Sequence, residues 1–187
     1  MRNSFFESSF AKSSKFIWDF HSKIEYLEEW ENLANLYDKF LISKKFDERK
    51  SYPQLIPKKI HQIWIGSKKL PKKYKIWMKT WRKHNPSWEY ILWDDEMIDN
   101  LDLINKDAYY STSNPGYKSD IARYEILNKF GGLYVDTDFE CLKEFPDYFL
   151  TYEFVNTVGF SYHPSVMNGF IFSKPNSTIL EKVINSV

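Results

Sequence analysis

The sequence predicts an α/β fold, a mostly parallel sheet flanked by helices and preceded by an N-terminal helical segment. Three observations carry this. Short apolar runs at Ile60–Ile65, Trp88–Trp93 and Leu133–Val135 each end against Gly or Asp. Between them lie stretches whose apolar residues recur at three- and four-residue steps, the period of a helix packed on a sheet. Strands that alternate with helices form βαβ units, and those units make parallel sheets.

The elements follow in order. Phe16, Phe20, Ile24, Leu27, Trp30, Ala34, Tyr37 and Leu41 mark a helical apolar stripe from about Ser14 to Ile42, with Lys23, Glu28, Glu29 and Lys39 on the other face. That polar face is mixed in sign, which favours packing on the following domain over a membrane-surface role. Ser43–Pro57 is charged, carries Pro53 and Pro57, and reads as a linker. The expected domains are therefore a helical segment over residues 1–50 and an α/β domain over 56–187. Ile60–Ile65 is a strand closed by Gly66. Pro71–His84 is a helix opened by its proline and stopped before Asn85-Pro86. Trp88–Trp93 is a strand running into Asp94-Asp95, followed by a polar helix over Asp95–Ile104 and a loop through Asn114-Pro115-Gly116. Ser119 is placed to N-cap a helix to Phe130, which Gly131 ends in the left-handed conformation. Leu133–Val135 then delivers Asp136-Thr137-Asp138. Further strands are expected at Phe154–Phe160 and Gly169–Ser173, and a helix from near Asn176.

Composition narrows the function classes. A chain of 187 residues is long enough to bury a core without disulfides. The net charge of +1 gives no global case for a nucleic-acid partner. Basic residues in Lys68–Lys83 fall as pairs along a predicted helix and read as a solvated face. A single cysteine, Cys141, forms no internal disulfide and fits a reducing compartment. Met1–Phe10 lacks the apolar core of a signal peptide, and no stretch is long enough to span a bilayer. The expected location is cytoplasmic, with the N-terminal helix as the candidate for peripheral membrane contact.

In an open α/β sheet, ligands bind beyond the carboxyl ends of the strands, where Asp136 and Asp138 fall. Residues two apart in an extended chain point to one side, so both carboxylates can face one ligand. Two hard oxygen donors beside a phosphate-bearing substrate suit Mg²⁺ or Mn²⁺, which would neutralise a diphosphate leaving group. The triplet alone is weak, since 12 aspartates in 187 residues give about one such pair by chance. A solvated loop is an equal reading until position is weighed: two unpaired carboxylates at the mouth of a sheet repel unless a cation is present.

Asp120 and Arg123 lie three apart, on one helix face. Asp120 in a first turn is favoured by the helix dipole and Arg123 can pair with it; alternatively both reach sugar hydroxyls or phosphates, Arg123 as a forked donor. Spacing alone favours the pairing. Trp64 closes the first strand at the same sheet edge and could stack on a nucleotide base, though with seven tryptophans a core role is the default. Asn168, before Gly169, could hydrogen-bond a sugar, with a turn residue the plainer reading. His21, His61, His84 and His163 show no metal-ligand spacing. No Gly-rich phosphate loop, G-x-S-x-G elbow or Cys/His arrangement is present.

Four ordered blocks go further. They are Ile56-Pro57-Lys58-Lys59-Ile60-His61-Gln62-Ile63-Trp64-Ile65-Gly66, Asn85-Pro86-Ser87-Trp88-Glu89-Tyr90, Ser119-Asp120-Ile121-Ala122-Arg123-Tyr124 and Phe130-Gly131-Gly132-Leu133-Tyr134-Val135-Asp136-Thr137-Asp138. Together they resemble the glycosyltransferase family with the DXD sugar-binding region, which includes initiating mannosyltransferases, capsular-polysaccharide transferases and, distantly, the large glucosylating toxins. The resemblance covers residues 56–175. It implies a GT-A fold and metal-dependent transfer from a UDP- or GDP-sugar to a glycan, lipid or protein acceptor, with retention of anomeric configuration. By the same resemblance Asp136 touches the donor ribose and the metal's shell, and Asp138 binds the metal. Asp120 and Arg123 hold the donor sugar, Trp64 lies against the base, and Asn168-Gly169 matches a block on the acceptor side. Such transferases have no agreed side-chain nucleophile, and a front-face mechanism is implied. Family members usually continue past the position of Val187, so a shortened domain lacking part of the acceptor pocket is expected. The alternatives are a silent nucleotide-sugar-binding remnant and a D-x-D phosphohydrolase. The latter motif usually has Thr or Val where this chain has Glu140.

Overall fold

The computed structural model describes residues 24–42, 51–160 and 164–187. The chain divides into two compact units, Met1–Tyr52 with Thr157–Met167, and Pro53–Asn156 with Asn168–Val187. In the first, helix α1 (Ile24–Ile42) buries Trp30 and Ala34, four apart on one face, and exposes Glu28, Glu29 and Lys39. The predicted helix start at Ser14, most of the predicted linker, and His21 and His163 lie outside the described residues.

The rest of the chain runs β1 (Lys59–Ile63), α2 (Lys72–His84), β2 (Glu89–Trp93), α3 (Asp95–Asp99), α4 (Lys106–Ser111), α5 (Pro115–Phe130), β3 (Gly132–Val135), a 3₁₀ turn (Asp147–Thr151), β4 (Phe154–Phe160), β5 (Pro164–Ser173) and α6 (Thr178–Ile184). The strands form one sheet in the order β2-β1-β3-β5-β4. β1 pairs parallel with β2 and with β3, whereas β3 pairs antiparallel with β5. The sheet is thus mixed. Helical crossovers α2 and α5 precede β2 and β3, and such crossovers keep strands parallel. The chain leaves β3 through the 3₁₀ turn and β4 instead, and β5 comes back the other way.

Alternation along the strands sorts the core onto two faces. Leu133 and Val135 of β3, with Phe172 of β5, join Ile60, Trp81 and Leu150 on one face. Tyr134 and Ile171 point the other way, into a cluster with Trp93, Ala122, Ile126 and Leu180. Both faces of the central strands are covered, which is why these runs are apolar throughout.

Several boundaries differ from the sequence reading. Pro71 is the residue before α2 rather than its first helical residue. Helix α5 starts at Pro115, capped by the Asn114 side chain, which accepts from the Gly116 N–H at 2.9 Å. Proline at the first helical position loses no hydrogen bond. Ser119 is therefore inside the helix, its hydroxyl donating to the Gly116 carbonyl at 3.1 Å, and Asp120 is not in the first turn. The single helix expected over Asp95–Ile104 ends early, as α3, and a separate helix, α4, lies beyond that span. Leu101 and Leu103 are drawn into the core. The N–H groups of Ile104 and Asn105 go to the buried Glu125 carboxylate at 2.6 and 2.9 Å instead of to helical carbonyls.

The turn from α5 to β3 has no loop. Gly131 has φ +63° with ψ −177°, an extended conformation of positive φ rather than the left-handed helical one expected, and Gly132 has φ +111°. A Cβ on Gly132 would sit 2.6 Å from the Lys59 carbonyl oxygen, so only glycine lets β3 enter beside β1. The Gly131 carbonyl accepts from Nε2 of the fully buried His61 at 2.8 Å, while the Trp93 indole N–H donates to His61 Nδ1 at 3.1 Å. One neutral tautomer satisfies both bonds, and burial lowers the His61 pKa from 6.5 to about 4.

Candidate functional site

Beyond the carboxyl ends of β1 and β3 lies a cavity of about 420 Å³. Trp64, Asp120, Arg123, Asp136 and Asp138 all line it, together with Tyr74, Tyr134 and the start of α5. Asn168 is not among the lining residues; it stands behind them. It also lies within β5 rather than in the turn that sequence suggested.

Asp136 follows directly on β3 and is held on every side. Its Oδ1 accepts from the Tyr134 hydroxyl at 2.7 Å and lies 3.4 Å from Arg123 Nη1. Its N–H donates to the Gly169 carbonyl at 2.9 Å, and its own carbonyl accepts from Gln62 Nε2 at 3.0 Å. Its Oδ2 lies against Gly169, where an added Cβ would approach to 2.6 Å. The carboxylate is therefore paired, and the repulsion argued from two unpaired carboxylates does not arise.

Arg123 is 3% exposed, and its guanidinium is engaged on all three nitrogens. Nε donates to the Ser119 carbonyl at 3.0 Å, Nη1 to the Asn168 carbonyl at 2.7 Å, and Nη2 to Ser119 Oγ at 3.0 Å. Nη2 also forms an ion pair with Asp120 Oδ1 at 2.8 Å, and that same oxygen accepts from Asn168 Nδ2 at 2.9 Å. The group sits 4.6 Å above the Tyr134 ring. Three of its five N–H groups thus make hydrogen bonds, and the ion pairs to Asp120 and Asp136 flank the group on the cavity side. The pairing account of Asp120 and Arg123 is present, and the pair forms a wall of the cavity.

Asp138 differs. It is exposed, and no hydrogen bond or ion pair to it is present among the described residues. Nor does it share an extended chain with Asp136. Thr137 and Asp138 form a turn, closed by the Phe139 N–H donating to the Asp136 carbonyl at 3.2 Å, with Thr137 buried. Both carboxylates reach one cavity because the chain bends. Among the described residues no group of three or more His, Cys, Asp or Glu could hold a metal.

Trp64 is half-buried, its indole N–H donating to the Lys68 carbonyl at 2.8 Å. Its ring meets Tyr74 edge-on at 6.0 Å, and Tyr74 stacks on Trp77 at 5.5 Å. Sequence reasoning gave no site role to Tyr134, Gln62 or Ser119. Two of them carried a signal. Tyr134 precedes Asp136 by two residues and so shares its side of the strand. Gln62 is a polar residue inside an apolar run, and a buried polar group needs a partner; it also accepts from the Tyr90 hydroxyl.

Residues 71–157 match the family described as "Glycosyltransferase sugar-binding region containing DXD motif". The chain carries that region. Asp120, Arg123, Asp136 and Asp138 fall within the DXD region, while Trp64 and Asn168 flank it. An uncharacterized glycosyltransferase of Acanthamoeba polyphaga mimivirus is 30% identical over 145 residues, covering 71% of this chain and 56% of that protein. A mannosyl phosphorylinositol ceramide synthase of Saccharomyces cerevisiae is 32% identical over 144 residues, covering 73% and 36%. The chain thus spans about half the length, or less, of these relatives. Among solved structures, the PaToxG glycosyltransferase superposes with a TM-score of 0.60 at 20% identity, covering 76% of this chain and 65% of that one. At that identity the likeness is one of fold, and it is the glycosyltransferase α/β fold that the sequence predicts.

Proposed function

We propose that this chain binds a nucleotide sugar in the cavity beyond β1 and β3 and transfers its hexose to an acceptor with the help of Mn²⁺ or Mg²⁺. The observation that carries the reading is the contrast between its two aspartates. Asp136 is fixed by Tyr134 and Arg123, whereas Asp138 offers an unpartnered carboxylate to the same cavity. One free carboxylate is a poor metal site by itself. It fits an ion that keeps several waters and takes few protein ligands, the rest coming from substrate phosphates. Asp138 would hold that ion, with Asp136 in its shell, and the metal would supply charge neutralisation for a departing diphosphate. Trp64, pinned through its indole N–H, offers a ring for the base. Asp120 has a second carboxylate oxygen for a sugar hydroxyl.

Arg123 acts through the residues around it. Its nitrogens are engaged by Asp120, Asn168, Ser119 and Asp136, so it sets their positions and contributes positive charge to the cavity wall. A phosphohydrolase reading needs Asp136 as a free nucleophile; the ion pair and the Tyr134 hydroxyl argue against it. The mannosyl product named for the yeast relative puts a mannosyl donor first among the sugars to test, and a lipid first among acceptors. Retention of configuration and a reducing, cytoplasmic setting complete the proposal. The domain proposal is an N-terminal helical segment, residues 1–50, ahead of a transferase domain from residue 56.

Calorimetry with a panel of UDP- and GDP-sugars tests it. Binding is expected with Mn²⁺ present and lost in Asp138→Ala. Because Asp138 is exposed and unpartnered, the variant should fold with a stability change within about 0.5 kcal/mol. Mn²⁺ alone should bind weakly and tighten when a nucleoside diphosphate is added. Failure of every nucleotide diphosphate to bind sinks the proposal, and binding without transfer makes the chain a donor-binding module.

A further inference from the structure

Helix α2 presents a solvent face that the donor site does not use. Lys72, Ile76, Lys79 and Lys83 follow at steps of four, three and four, one stripe of an α-helix. All four are exposed, and Ile76, at the centre of the stripe, is 62% exposed. Lys73 and Lys75 flank it. The opposite face is packed down by Met78 and Trp81.

Among the described residues no carboxylate pairs with this charge. From Lys68 to His84 there is no Asp or Glu. The first turn of α2 carries no acidic residue, and its N-cap, Pro71, offers no side-chain cap. Lys72 and Lys73 therefore sit where the helix dipole penalises cations. Local stability would favour the reverse arrangement. The face is solvated, as the sequence reading has it, but its charge is of one sign.

The stripe also adjoins the cavity. Lys68 and Tyr74 line its mouth, and Tyr74 stacks on Trp77, over which Lys73 Nζ lies at 4.4 Å. Clustered lysines with an exposed aliphatic residue and interfacial Trp and Tyr match the chemistry of an anionic lipid surface. We infer that the Lys72–Lys83 face of α2 docks this protein onto a membrane containing anionic lipids, bringing the mouth of the cavity close to the lipid surface. The contact expected from the N-terminal helix is thereby assigned to α2. The inference deepens the proposed function only in offering a lipid acceptor a route to the site; the docking itself stands or falls without donor binding.

The test is co-sedimentation of the full chain with phosphatidylcholine vesicles, with and without phosphatidylserine. Binding is expected only with phosphatidylserine, and it should weaken as salt shortens the screening length. Each lysine removed should lower the partition coefficient about fivefold, so the triple variant Lys72→Gln/Lys79→Gln/Lys83→Gln should lose about 100-fold. Ile76→Ser should weaken binding without changing its salt dependence, and Lys106→Gln, on another surface, should leave it unchanged. All these positions are exposed, so unchanged thermal melting and unchanged nucleotide-sugar calorimetry accompany the loss. No binding to phosphatidylserine vesicles overturns the inference. So does full binding by the triple variant, which would place the contact elsewhere, or equal binding to phosphatidylcholine alone. Retention on RNA without vesicle binding overturns it in favour of a nucleic-acid partner.

Discussion

At the scale of residues, the site separates groups that hold from groups that bind. Arg123 and Tyr134 are buried and engaged, and burial keeps the Tyr134 hydroxyl protonated far above its ordinary range, so it remains a donor to Asp136. Among the described residues nothing holds Asp138, which can give its carboxylate to a ligand. Gly169 makes the contrast testable. A Cβ there would stand 2.6 Å from Asp136 Oδ2, so Gly169→Ala should tilt the carboxylate while keeping the Arg123 network. A displacement of this size at a reacting centre costs up to about 100-fold. Donor affinity or transfer by Gly169→Ala should fall by that order while the melting transition stays cooperative; wild-type values would show that the orientation of Asp136 does not matter. Sequence could point to Asp136, Asp138, Asp120 and Arg123, because residue type and spacing are local facts. It could not show that Arg123 is engaged on all three of its nitrogens, because its acceptors include Asn168, 45 residues away.

At the scale of elements, β1 and β3 were legible because a strand covered on both faces reads as a largely apolar run. Strand β2, a half-buried edge strand, was legible because its Tyr90-Ile91-Leu92-Trp93 run is rich in aromatic and branched residues. The break between α3 and α4 was not. Within it Glu125, in another helix, accepts from the N–H groups of Ile104 and Asn105, a long-range contact that residue spacing does not show. The antiparallel β5 escaped for a related reason, since direction is set by the route the chain takes and not by composition. The start of α5 was readable in principle from Asn114-Pro115, a cap followed by proline. The joint between β1, β2 and α5 also responds to pH. His61 is neutral in the folded protein, with a pKa of about 4 against 6.5 when exposed. The unfolded chain therefore binds the extra proton between those values. Stability from this group is complete above pH 6.5 and declines as pH falls toward 4, by roughly 3 kcal/mol in total. Urea midpoints measured across that range should fall for the wild type and stay flatter for His61→Gln, whose amide can still donate toward the Gly131 carbonyl. Parallel curves for the two would remove His61 as the cause.

At the scale of the whole molecule, the comparisons and the geometry converge on one region, residues 71–157 with the strand ends on either side of it. Among the described residues no helix is long and apolar enough to cross a membrane. The sheet order has a further consequence, for how the protein comes to exist at all. Strand β3 leads directly into Asp136, yet it lies between β1 and β5, with β1 far back in the chain. The bond from His61 to Gly131 that closes this seam spans 70 residues. Contacts of such separation require a large loop to close before they return any stability, which slows folding. The two flanking partners of β3 cannot form locally, so the aspartates have no ordered position until the chain has found its global topology. Amide exchange offers the measure: the β3 amides should open only with complete unfolding, sharing its denaturant dependence, while those of α3 and α4 exchange through smaller fluctuations. In a cell, a nascent chain would then pass through synthesis of both β1 and β3 without an ordered cavity at their ends, gaining it in one late, cooperative step.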